Sequence, residues 1–170
     1  MAMRDALLPE FDMEMASTRK MLERVPVEHL EYKPHQKSGS LGWLAWHVAD
    51  LPAWVVETIN KDELDFAPVG VARPAAPKME SREQLLASFD KKVADARTAI
   101  AGVSDDRLAG NWTLKAGGHT IFTMPRAAVL RSFVMNHLIH HRAQLGVYLR
   151  MNDVPVPGMY GPSADEKNLA

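Results

Sequence analysis

The chain carries four segments in which apolar residues recur every three or four positions, the spacing that places them on one face of an α-helix. Proline, glycine or polar residues separate the segments and mark where each helix begins and ends. The predicted helices are Arg4–Val25, Ser40–Thr58, Ser81–Gly102 and Pro125–Met151. Four helices in 170 residues predict an all-α fold, a four-helix bundle that occupies residues 1–170 as a single domain.

Particular residues define the helix ends and one break. Ser81 is followed three positions later by Gln84, the spacing of a capping box, and Pro125 suits the first turn of a helix. Pro52 lies inside the second helix, where it removes a backbone donor, so a kink is expected there. A tail rich in proline and glycine, Val154–Pro162, follows the last helix.

Two connections between the helices stand out. A long loop joins helices 2 and 3, and its prolines are Pro68, Pro74 and Pro77. Before helix 4, the segments Asn111–Lys115 and His119–Phe122 flank the pair Gly117-Gly118, which favours a two-residue turn. A short hairpin is therefore expected between helices 3 and 4.

The charge balance gives no reason to expect a polyanionic partner. The chain has 20 basic and 21 acidic residues and a formal net charge of −1, without the basic excess that nucleic acids or anionic membranes attract. No apolar run approaches the roughly 20 residues of a membrane-spanning helix, and the first residues do not form a signal-peptide core. We therefore expect a cytoplasmic protein that binds neither nucleic acid nor membranes.

The absence of cysteine excludes disulfides, thiolate metal sites and cysteine nucleophiles. The chain also lacks a Gly-x-Ser-x-Gly turn, a glycine-rich phosphate loop and the Glu-x-x-His motif of di-iron bundles. Leu138 stands where a His-Glu-x-x-His metalloprotease has its glutamate, so protease chemistry is not expected. Candidate chemistry therefore depends on the seven histidines.

Two of these histidines share one face of the fourth helix. His137 and His141 lie four residues apart, so their side chains are one turn above each other. On a helical wheel they fall among Leu130, Val134 and Leu145, which belong to the apolar stripe. Both imidazoles are therefore predicted to face the bundle interior.

A third histidine occupies an equivalent position on the second helix. His47 lies one turn from both Trp43 and Leu51, on the apolar face. An imidazole nitrogen buried without a partner costs roughly 1–3 kcal/mol, so either each ring has a hydrogen-bond partner or one metal ion binds all three. The spacing favours a metal bound by His47, His137 and His141.

Such a donor set has definite chemical consequences. Three neutral nitrogens leave at least one coordination position open for water or substrate, as in catalytic metal sites. All-imidazole sites suit zinc, nickel, iron or copper. Water bound there would have a strongly lowered pKa and could act as a nucleophile or base.

Residues near the three imidazoles are candidates for a supporting role. Asp50, one turn after His47, and Gln144, beside His141, could accept hydrogen bonds from ligating rings, although Asp50 could equally be a solvated charge. His140 falls at the edge of the apolar stripe and is expected at the rim of the site. His29 and His35 are assigned to a loop at the surface, and His119, which follows the Gly-Gly turn, could approach the open end of the bundle.

The opposite face of the fourth helix is also apolar and carries small residues. Its members are Ala128, Met135, Ile139, Ala143 and Gly146. A helix that is apolar on two sides is packed on both, and small residues allow a close approach, so we expect this face to form a symmetric homodimer. The alternative is that another helix of the same chain covers it.

Three segments of the chain resemble the DinB family. They are Leu44–Ala49 with the sequence Leu-Ala-Trp-His-Val-Ala, His137–Leu145, and the tail Asn152–Glu166. The resemblance implies a four-helix bundle, homodimers, and an active-site mouth at one end of the bundle. It also implies a divalent metal, zinc, nickel or iron, held by His47, His137 and His141.

The resemblance suggests a class of reaction without naming a substrate. Relatives of this bundle include transferases and isomerases that use a low-molecular-weight thiol with a metal as Lewis acid. The first hypothesis is therefore a metal-dependent enzyme for a small-molecule substrate, acting by thiol transfer or hydrolysis. The alternatives are a non-catalytic metal- or ligand-binding bundle that senses or stores, and a polar core in which the histidines bind no metal.

Overall fold

A computed structural model describes residues 2–72 and 79–166, and these residues are mostly helical with one small sheet. The α-helices are α1 (Met3–Leu22), α2 (Leu41–Asp50), α3 (Ala53–Asn60), α4 (Arg82–Gly102), α5 (Asp105–Ala109), α6 (Arg126–Ala128) and α7 (Asn136–Arg150). A 3-10 turn spans Val27–His29, and a π-helical segment, Val129–Met135, joins α6 to α7. Of the prolines expected in the long loop, Pro74 and Pro77 lie outside the described residues.

The sheet corrects the expectation of an all-α fold. Its strands are β1 (Glu63–Asp65), β2 (Asn111–Ala116) and β3 (His119–Pro125), in the order β1-β2-β3. The expected hairpin is present as antiparallel β2 and β3, and its turn residues Gly117 and Gly118 have φ values of 59° and 80°, which glycine adopts without strain. Strand β1 was not expected; it pairs parallel with β2. The Asp65 carboxylate accepts hydrogen bonds from the backbone N–H groups of both turn glycines.

The second predicted helix is two helices, because Pro52 interrupts the backbone ladder more completely than a kink would. Helix α2 ends at Asp50, and α3 begins at Ala53. The N–H of Val55 reaches back to the carbonyl of Pro52, so the chain passes through a tighter turn before α3 continues. Ser40 caps α2 as expected, accepting a hydrogen bond from the Trp43 N–H.

Helices α1, α2, α4 and α7 pack around the main apolar core, and the sheet covers a smaller cluster formed by Trp112, Leu114 and Val129. The ends of α4 agree with the prediction: Ser81 caps it by accepting from the Gln84 N–H. The Gln84 side chain in turn accepts from the Glu80 N–H. This arrangement places α2 directly against α7, which brings the histidine-bearing faces together.

The π-helical segment changes the faces that a uniform α-helical wheel assigns before His137. The backbone N–H of Asn136 donates to the carbonyl of Arg131, five residues earlier. This turn therefore holds one residue more than an α-helical turn, in which the N–H bonds the carbonyl four residues earlier. Met135, expected on the outer face, is only 3% exposed and belongs to the main apolar core. Gly146, expected on the same outer face, lies near Met21 and Val156 of the same chain. The chain itself therefore covers part of the face predicted for dimerisation.

A buried ion pair connects α1, α7 and the tail. Arg142 of α7 and Glu14 of α1 are 2% and 3% exposed, and their charged atoms lie 2.8 Å apart. Arg142 also donates to the Thr18 hydroxyl, and the Tyr160 hydroxyl from the tail bonds both charged side chains. Charges buried this deeply are tolerated because each has a partner and further hydrogen bonds.

No helix among residues 2–72 and 79–166 is both long enough and apolar enough to span a bilayer.

Candidate metal centre

Helices α2 and α7 bring together the three histidines that the sequence predicted as ligands. His47 projects from α2, and His137 and His141 project from α7 one turn apart. A nitrogen of each ring lies within 4.8 Å of a nitrogen of the other two. The rings are half-buried, so the cluster lies at the boundary between the helices and the surface, not deep in the apolar core as the wheel suggested.

The distance between two of the nitrogens fits a shared metal ion. The Nε2 atoms of His47 and His137 are 3.3 Å apart. Two imidazole nitrogens bound tetrahedrally to one zinc at about 2.0–2.1 Å are separated by about 3.3–3.4 Å. A hydrogen bond between the His47 and His137 rings is compatible with the same distance, but it would not account for the position of His141 beside them. The donor set therefore fits a divalent transition metal in its chemistry and in this separation.

The protonation state of the cluster also suits metal binding. Burial lowers the pKa of all three imidazoles, and that of His47 falls from 6.5 to about 4 with contributions from the two neighbouring rings. At neutral pH all three rings are therefore uncharged. Each then offers one nitrogen lone pair, which a protonated ring would not.

A hydrogen bond fixes which nitrogen carries that lone pair in the His141 ring. The Gln144 Oε1 atom lies 2.7 Å from Nδ1 of His141. An amide oxygen can only accept, so this Nδ1 carries the hydrogen and Nε2 is left for a metal. This contact is of the kind that orients ligating histidines. The Phe133 backbone raises the pKa of His137, against the larger effect of burial.

The other two predicted neighbours lie differently. Asp50 forms an ion pair with Lys92 of α4, 2.9 Å apart, and Lys92 also lies over the Trp46 ring. Asp50 is therefore paired with Lys92, and its charge also raises the pKa of His47 against the larger effect of burial. His140 is exposed, and its ring centroid is 4.9 Å from that of His141, which places it at the rim. The remaining histidines are exposed: His29 at the end of the 3-10 turn, His35 in the loop before α2, and His119 at the start of β3.

Aromatic rings that the sequence did not assign to the site lie on both sides of it. Trp43 stacks on His47 with an angle of 8° between the ring planes, and Phe133 lies 5.6 Å from the His137 ring. Trp54 and Phe122 extend the second side, each in contact with Phe133. The spacing of Trp43, four residues before His47, is the one sequence signal that could have identified this contact.

The sequence of the chain was compared with those of known protein families and proteins. A family model described as "DinB family" matches residues 3–168. The chain is 28% identical over 170 residues to a protein of Bacillus subtilis (strain 168) named "Uncharacterized protein YrdA", with 95% of this chain and 90% of that protein aligned.

Two solved structures have a similar fold. A DinB-like protein from Bacillus cereus ATCC 10987 superposes with a TM-score of 0.71 at 24% identity, covering 92% of this chain and 97% of its own. The DinB-like protein YjoA from Bacillus subtilis gives a TM-score of 0.69 at 17% identity, covering 93% and 99% respectively. At these identities the likeness concerns the fold alone.

Proposed function

The chain belongs to the DinB family, and from that premise we propose that it is a metal-dependent enzyme whose divalent transition metal is bound by His47, His137 and His141. The observation that carries the proposal is the convergence of three neutral imidazoles, two of them with Nε2 atoms 3.3 Å apart. A metal held by three protein nitrogens keeps a position for water or substrate, the arrangement of catalytic sites. Zinc, nickel and iron are the candidates that all-imidazole coordination favours.

The surrounding residues support binding and access. A divalent metal supplies Lewis acidity, which polarises a substrate atom and lowers the pKa of a bound water or thiol. Gln144 orients the His141 ring through a hydrogen bond to its Nδ1. The half-buried position leaves the cluster accessible from solvent, and the rings of Phe133, Trp54 and Phe122 offer an apolar side to a small-molecule substrate.

Metal analysis tests the binding part of the proposal. Protein purified without an affinity tag is titrated with zinc, nickel and ferrous iron by calorimetry, and its metal content is measured by mass spectrometry. We expect one metal per chain, and we expect His137→Ala to abolish tight binding. His140→Ala is the matched control, since this exposed ring is adjacent in sequence and lies at the rim. A wild-type protein that binds no metal, or a His137→Ala protein that binds it equally well, contradicts the proposal.

The reaction itself is proposed from the family, as transfer to or from a low-molecular-weight thiol or as hydrolysis. The test incubates metal-loaded protein with candidate thiols, such as bacillithiol and mycothiol, and a panel of electrophiles, and follows loss of free thiol. We expect turnover that depends on both the metal and His137. Product formation without a thiol indicates hydrolysis. A metal-loaded protein that turns over no substrate supports the alternative of a sensing or storage bundle.

A further inference from the structure

One of the three ligand rings is held by stacking. The Trp43 indole lies nearly parallel to the His47 imidazole, with 8° between the planes and 5.1 Å between the centroids. Trp43 is 49% exposed although its ring is large and mostly apolar, and the His47 ring covers one of its faces. Its position one turn before His47 on α2 keeps the two rings on the same side of the helix.

The Trp43 ring lies close against Gly39. A Cβ atom added at Gly39 would lie 2.5 Å from Cε3 of Trp43, closer than carbon atoms can approach without displacement. The φ angle of Gly39 is not in the left-handed region, so the glycine is needed for this space and not for its backbone conformation. The Tyr148 hydroxyl of α7 donates to the Gly39 carbonyl at 3.2 Å, which fixes the Gly39 backbone relative to the helix that carries the other two histidines.

We propose that Trp43 is a positioning residue for the metal centre: the indole, confined by the Gly39 backbone, fixes the plane of the His47 ring so that Nε2 faces His137. An imidazole on α2 alone can rotate about its side-chain bonds, and a metal that binds it must first restrict that rotation. Stacking removes this freedom before the metal arrives. The proposal rests on the metal site proposed above and adds the residues that set the affinity of the site.

The test measures the zinc dissociation constant of Trp43→Ala, Trp43→Phe and Gly39→Ala in untagged protein by competition with a chelator. We expect Trp43→Ala and Gly39→Ala each to weaken binding by about 10-fold, the lower end of the range for residues that orient metal ligands. Trp43→Phe keeps a flat ring against His47 and should bind within about threefold of wild type. Gly102→Ala is the matched glycine control, because a Cβ there meets no atom within 4 Å.

A double variant separates positioning from a general structural effect. If Gly39→Ala acts by displacing the indole, then it has no further effect on affinity once Trp43 is already Ala. Quenching of tryptophan fluorescence by bound cobalt or nickel provides a second readout. We expect Trp43 to account for most of the quenching. Trp43→Phe should therefore remove most of the quenching, and Trp54→Phe should leave most of it.

The outcomes distinguish this proposal from the proposed function. Wild-type affinity in both Trp43→Ala and Gly39→Ala, with binding lost in His47→Ala, overturns the positioning role and leaves the metal site standing. Independent, additive losses in the double variant overturn the role of Gly39. Absence of zinc binding in the wild type overturns both proposals. Should Trp43→Ala fail to fold, the Gly39→Ala and Trp43→Phe affinities and the quenching experiment decide.

Discussion

Each of the three imidazoles has a different supporting contact. His141 hydrogen-bonds the Gln144 side chain, and His137 lies against the Phe133 ring. His47 is stacked on Trp43. Because these supports are independent, a substitution in one should weaken metal binding without removing the other two ligands.

Gln144 offers the most direct test at this scale. Gln144→Ala removes the acceptor from Nδ1 of His141, so the ring can rotate or change tautomer, and we expect metal affinity to fall about 10- to 100-fold. Gln144→Glu keeps an acceptor at the same place and should retain most of the affinity. Chelator competition measures both variants. Equal affinity in Gln144→Ala and wild type would mean that this contact does not orient the ligand.

The lowered pKa of His47 predicts a pH dependence of stability in metal-free protein. The unfolded chain binds a proton on this ring near pH 6.5, and the folded chain only near pH 4. Stability from the neutral ring is thus complete above pH 6.5 and is lost as the pH falls toward about 4. His47→Gln, which does not titrate, should flatten the free energy of unfolding against pH in this window, as measured by urea denaturation.

The control for the pH experiment is His29→Gln, because His29 is exposed at the end of the 3-10 turn. We expect this variant to follow the wild-type pH curve. If the free energy of unfolding of His47→Gln changes with pH as steeply as that of the wild type, the prediction is contradicted, since other groups then cause the loss of stability at low pH.

The sequence predicted which histidines converge, because spacing within a helix determines which face a residue occupies. It did not predict the partner of Asp50, because Lys92 lies on another helix and only packing brings α2 and α4 together. The Trp43 stack was missed for a related reason. Whether a ring four residues away contacts His47 or solvent depends on side-chain rotamers and on the space that Gly39 leaves.

At the scale of secondary structure, the segment before His137 departs most from a uniform helix. The π-helical turns of Val129–Met135 hold an extra residue and shift the faces of the segment relative to α7. Periodicity assumes a constant rotation per residue, so it could locate the helix ends near Pro125 and Met151 but not this change within it. Strand β1 was missed because three residues carry little pattern and its pairing with β2 depends on the rest of the fold.

The β2–β3 turn gives a prediction at this scale. Gly118 has a φ of 80°, so Gly118→Ala should lower the free energy of unfolding by about 1–2 kcal/mol, although its Cβ would meet open space. Gly102→Ala also meets open space but lies in α4 with no left-handed φ, so it should be neutral or stabilise by up to about 1 kcal/mol. Urea denaturation compares the two. Equal effects would show that backbone conformation does not decide stability at the turn.

For the whole molecule, the homodimer remains a prediction about the outer face of α7. Ala143 is exposed there, whereas Met135 is buried and Gly146 lies near Met21 of the same chain. Any dimer contact on this face must therefore be made by its exposed part. That part is smaller than the five residues that the helical wheel assigned.

Analytical ultracentrifugation tests this prediction by measuring the mass of the protein in solution. We expect the wild type to sediment at twice the chain mass of 18.9 kDa at micromolar concentration. Ala143→Glu places a charge in the expected contact and should shift the protein to the monomer without unfolding it, since the position is exposed. A monomeric wild type, or a dimer unaffected by Ala143→Glu, would contradict the proposed interface.

The buried pair of Glu14 and Arg142 imposes an order on biosynthesis. Glu14 leaves the ribosome first, Arg142 follows 128 residues later, and Tyr160 comes another 18 residues after that. Burying the Glu14 carboxylate before Arg142 has been made would cost several kcal/mol, because the charge would have no partner. The Glu14 side of α1 should therefore stay solvated until α7 has been made. Because α7 also carries His137 and His141, the proposed metal site would form only after α7 has been made, and until then the partly folded chain would expose apolar surface.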